Sequence, residues 1–202
     1  MLTYSFLNMV AESALSSRAT LDASYMLAWE VVARKIPGDI VECGVFAGAN
    51  AAAMARAILD KNKLSWEESN IRIHLFDSFT GIPQAGPEDK EFLEAGHPAG
   101  LSACSLDQVK ANMRHWGIPD DLLVWHPGMF QDTMPGIEFD IDQIALLRLD
   151  GDLYESTKVC MEHLYPLVSK GGWVICDDYQ LSGARKAVHE VVMPGPIYWV
   201  KE

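Results

Sequence analysis

The chain has 202 residues, with 16 Lys and Arg against 28 Asp and Glu, a formal net charge of −12, and 49% hydrophobic residues. That is too apolar for a disordered chain, and the length suits one domain with a sizeable core. The acidic balance argues against nucleic acid or an anionic membrane surface as the main partner, because both attract faces rich in Lys and Arg, but it does not argue against a divalent metal.

The start of the chain, Met1 to Phe6, lacks the basic residues and long apolar run of a signal peptide. No stretch approaches the roughly 18 apolar residues of a membrane span. The expectation is a soluble, cytoplasmic protein. Cys43, Cys104, Cys160 and Cys176 show no CxxC or zinc-like spacing. Cys43 and Cys176 lie in apolar runs and read as small buried hydrophobes of a reducing compartment.

Leu21, Tyr25, Ala28, Trp29 and Val32 recur at helical spacing and predict a helix over 20–35, ended by Pro37-Gly38. Asp39 to Cys43 is a short apolar strand, Gly44 to Asn50 a turn of small residues, and Ala51 to Leu59 a helix. Ile71 to Phe76 is the next strand and ends at Asp77. Residues 80–104 carry Gly, Pro and charges without a period, which reads as a functional or mobile loop. A helix follows over about 106–115, then a strand from Leu122 to Trp125. Ile144 to Leu149 is a strand ending at Asp150, 155–165 a helix, and Gly172 to Cys176 a strand ending at Asp177-Asp178. A helix near 183–191 and the apolar piece Ile197 to Val200 close the chain.

Strands alternating with helices predict an α/β fold, a doubly wound, mostly parallel sheet with helices on both faces. The strands are nearly unbroken apolar runs, as expected when both faces are buried. Ligands in such sheets bind beyond the carboxyl ends of the strands. Glu42, Asp77, Asp150, Asp177 and Asp178 stand at those ends and should share one edge.

Glu42-Cys43-Gly44-Val45-Phe46-Ala47-Gly48 follows the first strand and opens a helix, with the spacing acid-x-Gly-x-x-x-Gly rather than GxGxxG. Glycine lets the backbone approach a ligand, and a helix N-terminus suits a carboxylate or phosphate. Asp77 could accept hydrogen bonds from two ribose hydroxyls. Together these suit S-adenosylmethionine, with its amino-acid end over the turn. The wide spacing between Gly44 and Asp77 is assigned to a surface insertion at Lys61 to Asn70. The bland alternative is a tight turn needing small residues, with Asp77 as a helix cap.

Arg148-Leu149-Asp150-Gly151-Asp152 follows the fourth strand and Asp177-Asp178 the fifth. If these strands are neighbours, several carboxylates converge, and buried like charges raise one another's pKa values. A hard divalent cation such as Mg²⁺ removes that cost. Adjacent aspartates can touch one ion only if the chain leaves strand geometry there. The alternative is that Asp152 and Asp178 cap helices while Arg148 or Arg185 neutralises the others. His97, in the long loop, is a weaker candidate for substrate contact. His126 reads as a loop histidine, His74 as structural or solvated, and no Cys/His or Ser/His/Asp arrangement points to a covalent nucleophile.

Pro37–Ala51, Leu75–Pro83, Pro127–Pro135, Leu146–Tyr179 and Gly183–Val188 resemble the macrocin-type sugar O-methyltransferases, which use S-adenosylmethionine and Mg²⁺. The blocks DGDLYEST and CDDY carry most of the likeness. The resemblance implies a class I methyltransferase (Rossmann-like) fold as one domain over 1–202, with N-terminal helices or a lid over 1–36 and the core over 37–202. It implies that Asp150, Asp177 and Asp178 hold Mg²⁺ and that Asp152 is the general base on the acceptor hydroxyl. Glu42, Gly44, Asp77 and Ser78 would bind S-adenosylmethionine, with Gln131 where related catechol-type enzymes contact adenine. The partner would be a small-molecule hydroxyl acceptor, a sugar or glycoside, with a homodimer as a further expectation. Two other readings stay open. One is a catechol- or phenylpropanoid-type methyltransferase. The other is a non-catalytic cofactor-binding module, motivated by the short N-terminal part and by the eight residues from His189 to Pro196.

Overall fold

The computed structural model describes residues 2–61, 70–192 and 198–201. In chain order the helices are α1 (Leu2–Ala11), α2 (Arg18–Arg34), α3 (Ala49–Lys61), α4 (Lys90–Ala95), α5 (Leu106–His115), α6 (Phe130–Thr133), α7 (Tyr154–Leu164) and α8 (Ser182–Val191). The strands are β1 (Asp39–Cys43), β2 (Ile73–Asp77), β3 (Leu123–Pro127), β4 (Ile144–Leu149), β5 (Val168–Cys176) and β6 (Tyr198–Val200). They form one sheet in the order β3-β2-β1-β4-β5-β6, parallel except for β6, which pairs antiparallel with β5.

Alternation along the strands sorts the core into two layers. Ile40, Ile73, Leu75, Leu146 and Ile175 face the side covered by α1, α2, α3 and α5. Val41, Phe76, Leu147, Leu149 and Val174 face the opposite side, where Met134, Ile137, Cys160, Met161 and Val188 pack. Between β1 and β4 the order of strands reverses, which opens a crevice at their carboxyl ends.

Several elements differ from their sequence reading at the edges. Helix α2 starts at Arg18 because Ser17 caps it, its hydroxyl accepting the Thr20 N–H at 3.2 Å. Strand β5 begins at Val168, four residues ahead of Gly172, where the sequence reading places its start. The segment 80–104 is not wholly irregular: it carries α4 and docks on the start of α7 and α8. There the buried carboxylate of Asp89 accepts the Tyr154 N–H at 2.7 Å, and Ser182 Oγ donates to Glu91 Oε2 at 2.8 Å. The proposed insertion at Lys61 to Asn70 falls almost entirely on 62–69, outside the described residues, as does Ile197. Among the described residues no helix is long and apolar enough to cross a membrane.

His126 is a strand residue of β3, not a loop histidine. It stacks on Phe76 with ring centroids 4.0 Å apart and lies 2.9 Å from His74 Nδ1, whose Nε2 is 3.2 Å from Asp39 Oδ2. Burial, and then the neighbouring His74, lower the His126 pKa from 6.5 to about 4. A histidine depressed in the fold is held neutral, so its stabilising contribution is present above its unfolded value and is lost as pH falls from 6.5 toward 4. Thermal melts across this window should therefore fall less steeply with acid for His126→Phe than for the wild type. Equal slopes would show that this imidazole is not the group responsible.

Candidate active site

The end of β1 interlocks with β2 on one side and β4 on the other. Gly44 N–H donates to Phe76 O at 2.9 Å, and Asp150 N–H donates to Cys43 O at 2.8 Å. Gly44 has φ 90°, and a Cβ built on it would lie 1.8 Å from the Asp150 carbonyl oxygen. Glycine is thus required both by conformation and by the approach of the neighbouring strand. Beyond this point the turn 44–48 enters α3, with Phe46 at φ 48°.

Asp77 braces that turn. Its Oδ2 accepts the N–H groups of Val45 at 2.7 Å and Phe46 at 3.1 Å, and its Oδ1 accepts Phe79 N–H at 2.7 Å. A carboxylate has about four acceptor positions, so most of this one is spent on the protein's own backbone. Ser78 follows, its hydroxyl donating to Gly81 O at 3.1 Å.

The acidic residues converge. Strands β4 and β5 are parallel neighbours in register, Leu149 opposite Cys176. Beyond Cys176 the chain leaves the strand, and Asp177 and Asp178 occupy a turn. That departure lets two adjacent side chains reach one place: Asp150, Asp177 and Asp178 each bring a carboxylate oxygen within 4.8 Å of the others. Neither Asp152 nor Asp178 caps a helix. Asp178 Oδ2 instead accepts the Asp152 N–H at 2.8 Å, and α7 and α8 have no side-chain cap at Leu153 and Leu181. Asp152 sits at φ 60°, a left-handed conformation that Asp tolerates better than most residues.

Arg148 is the one cation inside this cluster among the described residues. It is fully buried, 2.9 Å from Asp150 Oδ2, 3.4 Å from Asp177 Oδ1 and 3.7 Å from Glu42 Oε1. These are ion pairs rather than aligned hydrogen bonds, since Nη1 and Nη2 lack a partner in good geometry. Glu42 stands opposite Arg148 in the sheet register, and both point toward α2 and α3. Arg148 Nε reaches Ser24 Oγ of α2 at 3.4 Å, Ser24 donates to Asn50 of α3 at 3.0 Å, and Asn50 donates to Ser16 at 2.9 Å.

One guanidinium does not balance these carboxylates. Burial raises the pKa values of Asp150, Asp152 and Asp178, and the neighbouring carboxylates raise them further; Arg148 opposes this at Asp150. Glu42 is pushed up to about 8 by burial, partly offset by Arg148. Such a site favours whatever neutralises it, a proton or a cation, and its donor set is all carboxylate oxygen, which fits a hard divalent ion.

A cavity of about 280 Å³ opens over this edge. Gly44, Asp77, Ser78, Gln131, Asp150, Asp152, Asp177 and Asp178 all line it. Glu42 does not: it lies buried beneath the floor, 3.7 Å from Arg148 Nε. His97 is also outside the cavity, exposed and edge-on to Phe92. Sequence reading missed Ala14 to Ser16, which form part of the wall, and Asp89, whose docking on Tyr154 holds the segment after Asp152. Nothing in the spacing around Ala14 to Ser16 marked a cavity wall, and Asp89 gave no signal among the charges of its loop.

The sheet order, the glycine turn at β1 and the acidic ends of β4 and β5 define a class I methyltransferase fold. The solved structure of the O-methyltransferase NovP superposes with TM-score 0.80 at 30% identity, covering 94% of this chain and 82% of that one. Residues 11–193 match the macrocin-O-methyltransferase (TylF) family, and the chain belongs to it. It is 41% identical over 164 residues to 8-demethyl-8-(2,3-dimethoxy-alpha-L-rhamnosyl)-tetracenomycin-C 4'-O-methyltransferase of Streptomyces olivaceus, covering 79% of this chain and 60% of that protein. It is 36% identical over 160 residues to mycinamicin III 3''-O-methyltransferase of Micromonospora griseorubida, covering 77% of this chain and 60% of that protein. The chain thus spans about three-fifths of the length of these relatives.

Proposed function

We propose that the protein is an S-adenosylmethionine- and Mg²⁺-dependent O-methyltransferase acting on a hydroxyl of a sugar or glycosylated small molecule. The observation that carries this reading is the opening of the acidic triad into the same cavity as the glycine turn. The relatives' names, one of them a 4'-O-methyltransferase of a rhamnosyl-bearing compound, support the acceptor class.

In this reading Gly44, Asp77, Ser78 and Gln131 line the cofactor end, and Glu42 supports it from below through Arg148. Asp150, Asp177 and Asp178 would hold the divalent cation, which when bound supplies Lewis acidity to the acceptor hydroxyl. Asp152 takes the hydroxyl proton as the oxygen bonds to the sulfonium methyl carbon, and the carbon–sulfur bond breaks to leave S-adenosylhomocysteine. The raised pKa of Asp152 brings its proton affinity closer to the operating pH, which makes it a better base than an ordinary aspartate. The walls hold donor and acceptor in line, which supplies much of the remaining acceleration.

The test is methyl transfer to a panel of sugar glycosides and planar diols, with Mg²⁺ and with excess chelator. Transfer to glycosides that stops in chelator is expected. Transfer to planar diols alone, or unabated transfer in chelator, would refute this reading. Because carboxylates bind a cation only when deprotonated, and these carry raised pKa values, the thermal shift on adding Mg²⁺ should grow from pH 6 to pH 8 (assay settings at roughly these values).

A further inference from the structure

Each carboxylate of the triad has one oxygen already engaged by the protein, two in ion pairs with Arg148 and one in a backbone hydrogen bond. Asp150 Oδ2 is 2.9 Å from Arg148 Nη1, Asp177 Oδ1 is 3.4 Å from Arg148 Nη2, and Asp178 Oδ2 accepts the Asp152 N–H at 2.8 Å. That leaves one oxygen apiece. The guanidinium that holds two of the three is rigid and planar, fully buried, and gripped from behind by Glu42 and Ser24.

We infer that Arg148 is a positioning residue that restricts Asp150 and Asp177 to single-oxygen ligation and so makes the site select Mg²⁺ over Ca²⁺. The inference rests on the reading of the triad as a Mg²⁺ site and adds to it which residue of this chain enforces that choice and how. Mg²⁺ takes six oxygens at about 2.0–2.1 Å and keeps several waters, so three single oxygens suit it. Ca²⁺ takes about 6–8 oxygens at 2.3–2.6 Å and commonly engages a carboxylate through both. To do so here it would have to draw an oxygen of Asp150 or Asp177 away from Arg148, leaving a buried guanidinium short of its counter-charge. Asp178 is restrained in the same way by a backbone N–H that no side-chain exchange removes.

The experiment is calorimetric titration of the chelator-stripped full chain with MgCl₂ and with CaCl₂, for the wild type and Arg148→Lys. Lysine keeps the charge and loses the fork. Mg²⁺ should bind the wild type roughly tenfold or more tightly than Ca²⁺, and the ratio should shrink toward parity in Arg148→Lys. A single cooperative thermal transition, measured on the same samples, should remain in the variant, which a general loss of structure would not allow. If Arg148→Lys fails to fold, the wild-type ratio decides, together with infrared difference spectra of the Mg²⁺-loaded protein. The separation of the carboxylate stretches should be the wide one of single-oxygen ligation. Ca²⁺ binding as tight as Mg²⁺, an unchanged ratio in Arg148→Lys, or a narrow separation would overturn the inference while leaving the cation site standing. Failure of both ions to bind would overturn the cation site itself, and the inference with it.

Discussion

Asp152→Asn should lower methyl transfer by about 10²–10⁴-fold, the usual weight of a positioned general base. Asparagine has nearly the same shape and tolerates the left-handed backbone at φ 60°. Its N–H can still donate to Asp178 Oδ2, so the turn that carries it should stay in place. What disappears is the capacity to take a proton. S-adenosylhomocysteine affinity, set by the other end of the cavity, should be unchanged. Cation affinity should change far less than turnover, because the lost attraction of the Asp152 charge is opposed by the lessened repulsion that raises the pKa of Asp178. Single-turnover methyl transfer and calorimetry on the same protein separate these effects. Asp152→Ala is a poorer probe, since alanine at this φ adds strain of roughly 1 kcal/mol or more to the loss of the carboxylate. Full turnover in Asp152→Asn would remove Asp152 from the chemistry.

Much of the architecture was legible because the strands are so apolar. DIVEC and IALLRL have both faces buried, and Gly44 after the one and Asp150 after the other mark where the chain leaves the sheet. The convergence of Asp150 with Asp177 and Asp178 followed from the parallel pairing of β4 with β5 and from the turn after Cys176. The antiparallel β6 left no such mark, since three apolar residues do not reveal their direction. Helix α1 was implied only by the family resemblance and not by its own residues, although Phe6, Leu7 and Val10 bury along one of its faces, because so few positions do not establish a period.

The site was less legible than the fold for a reason of charge. From the sequence, Glu42 reads as a cofactor ligand and Arg148 as one possible neutraliser of the aspartates. Only the register of β1 against β4 makes them partners beneath the floor. Likewise Asp77 reads as a free acceptor until its carboxylate is found bonded to Val45, Phe46 and Phe79. His74 and His126 are separated by 52 positions in the chain, and only the pairing of β2 with β3 brings their rings together. Contacts across a parallel sheet depend on register, and one sequence fixes burial more firmly than register.

Gly44→Ala should disable both ends of the cavity at once. The added methyl would stand 1.8 Å from the Asp150 carbonyl oxygen, and that atom is main chain, so no rotamer change relieves the clash. Alanine at φ 90° is strained even without the clash. Strain and overpacking each cost about 1–3 kcal/mol, so a loss of roughly 2–5 kcal/mol is expected if the two partly share their relaxation. Relief can come only by parting β1 from β4. That would disturb the Asp150 N–H bond to Cys43 O and carry Asp150 away from Asp177 and Asp178. It would also shift Val45 and Phe46, whose N–H groups anchor Asp77. Cation and S-adenosylhomocysteine binding should therefore weaken together in calorimetry, alongside a lower thermal midpoint. Gly136→Ala is the control: it too sits at positive φ, 84°, but its methyl would meet only Phe139 ring carbons at 3.7 Å and beyond, away from the cavity. It should lose stability alone. Loss of only one ligand in Gly44→Ala would mean that the strand ends move independently and that the two halves of the cavity are not mechanically joined.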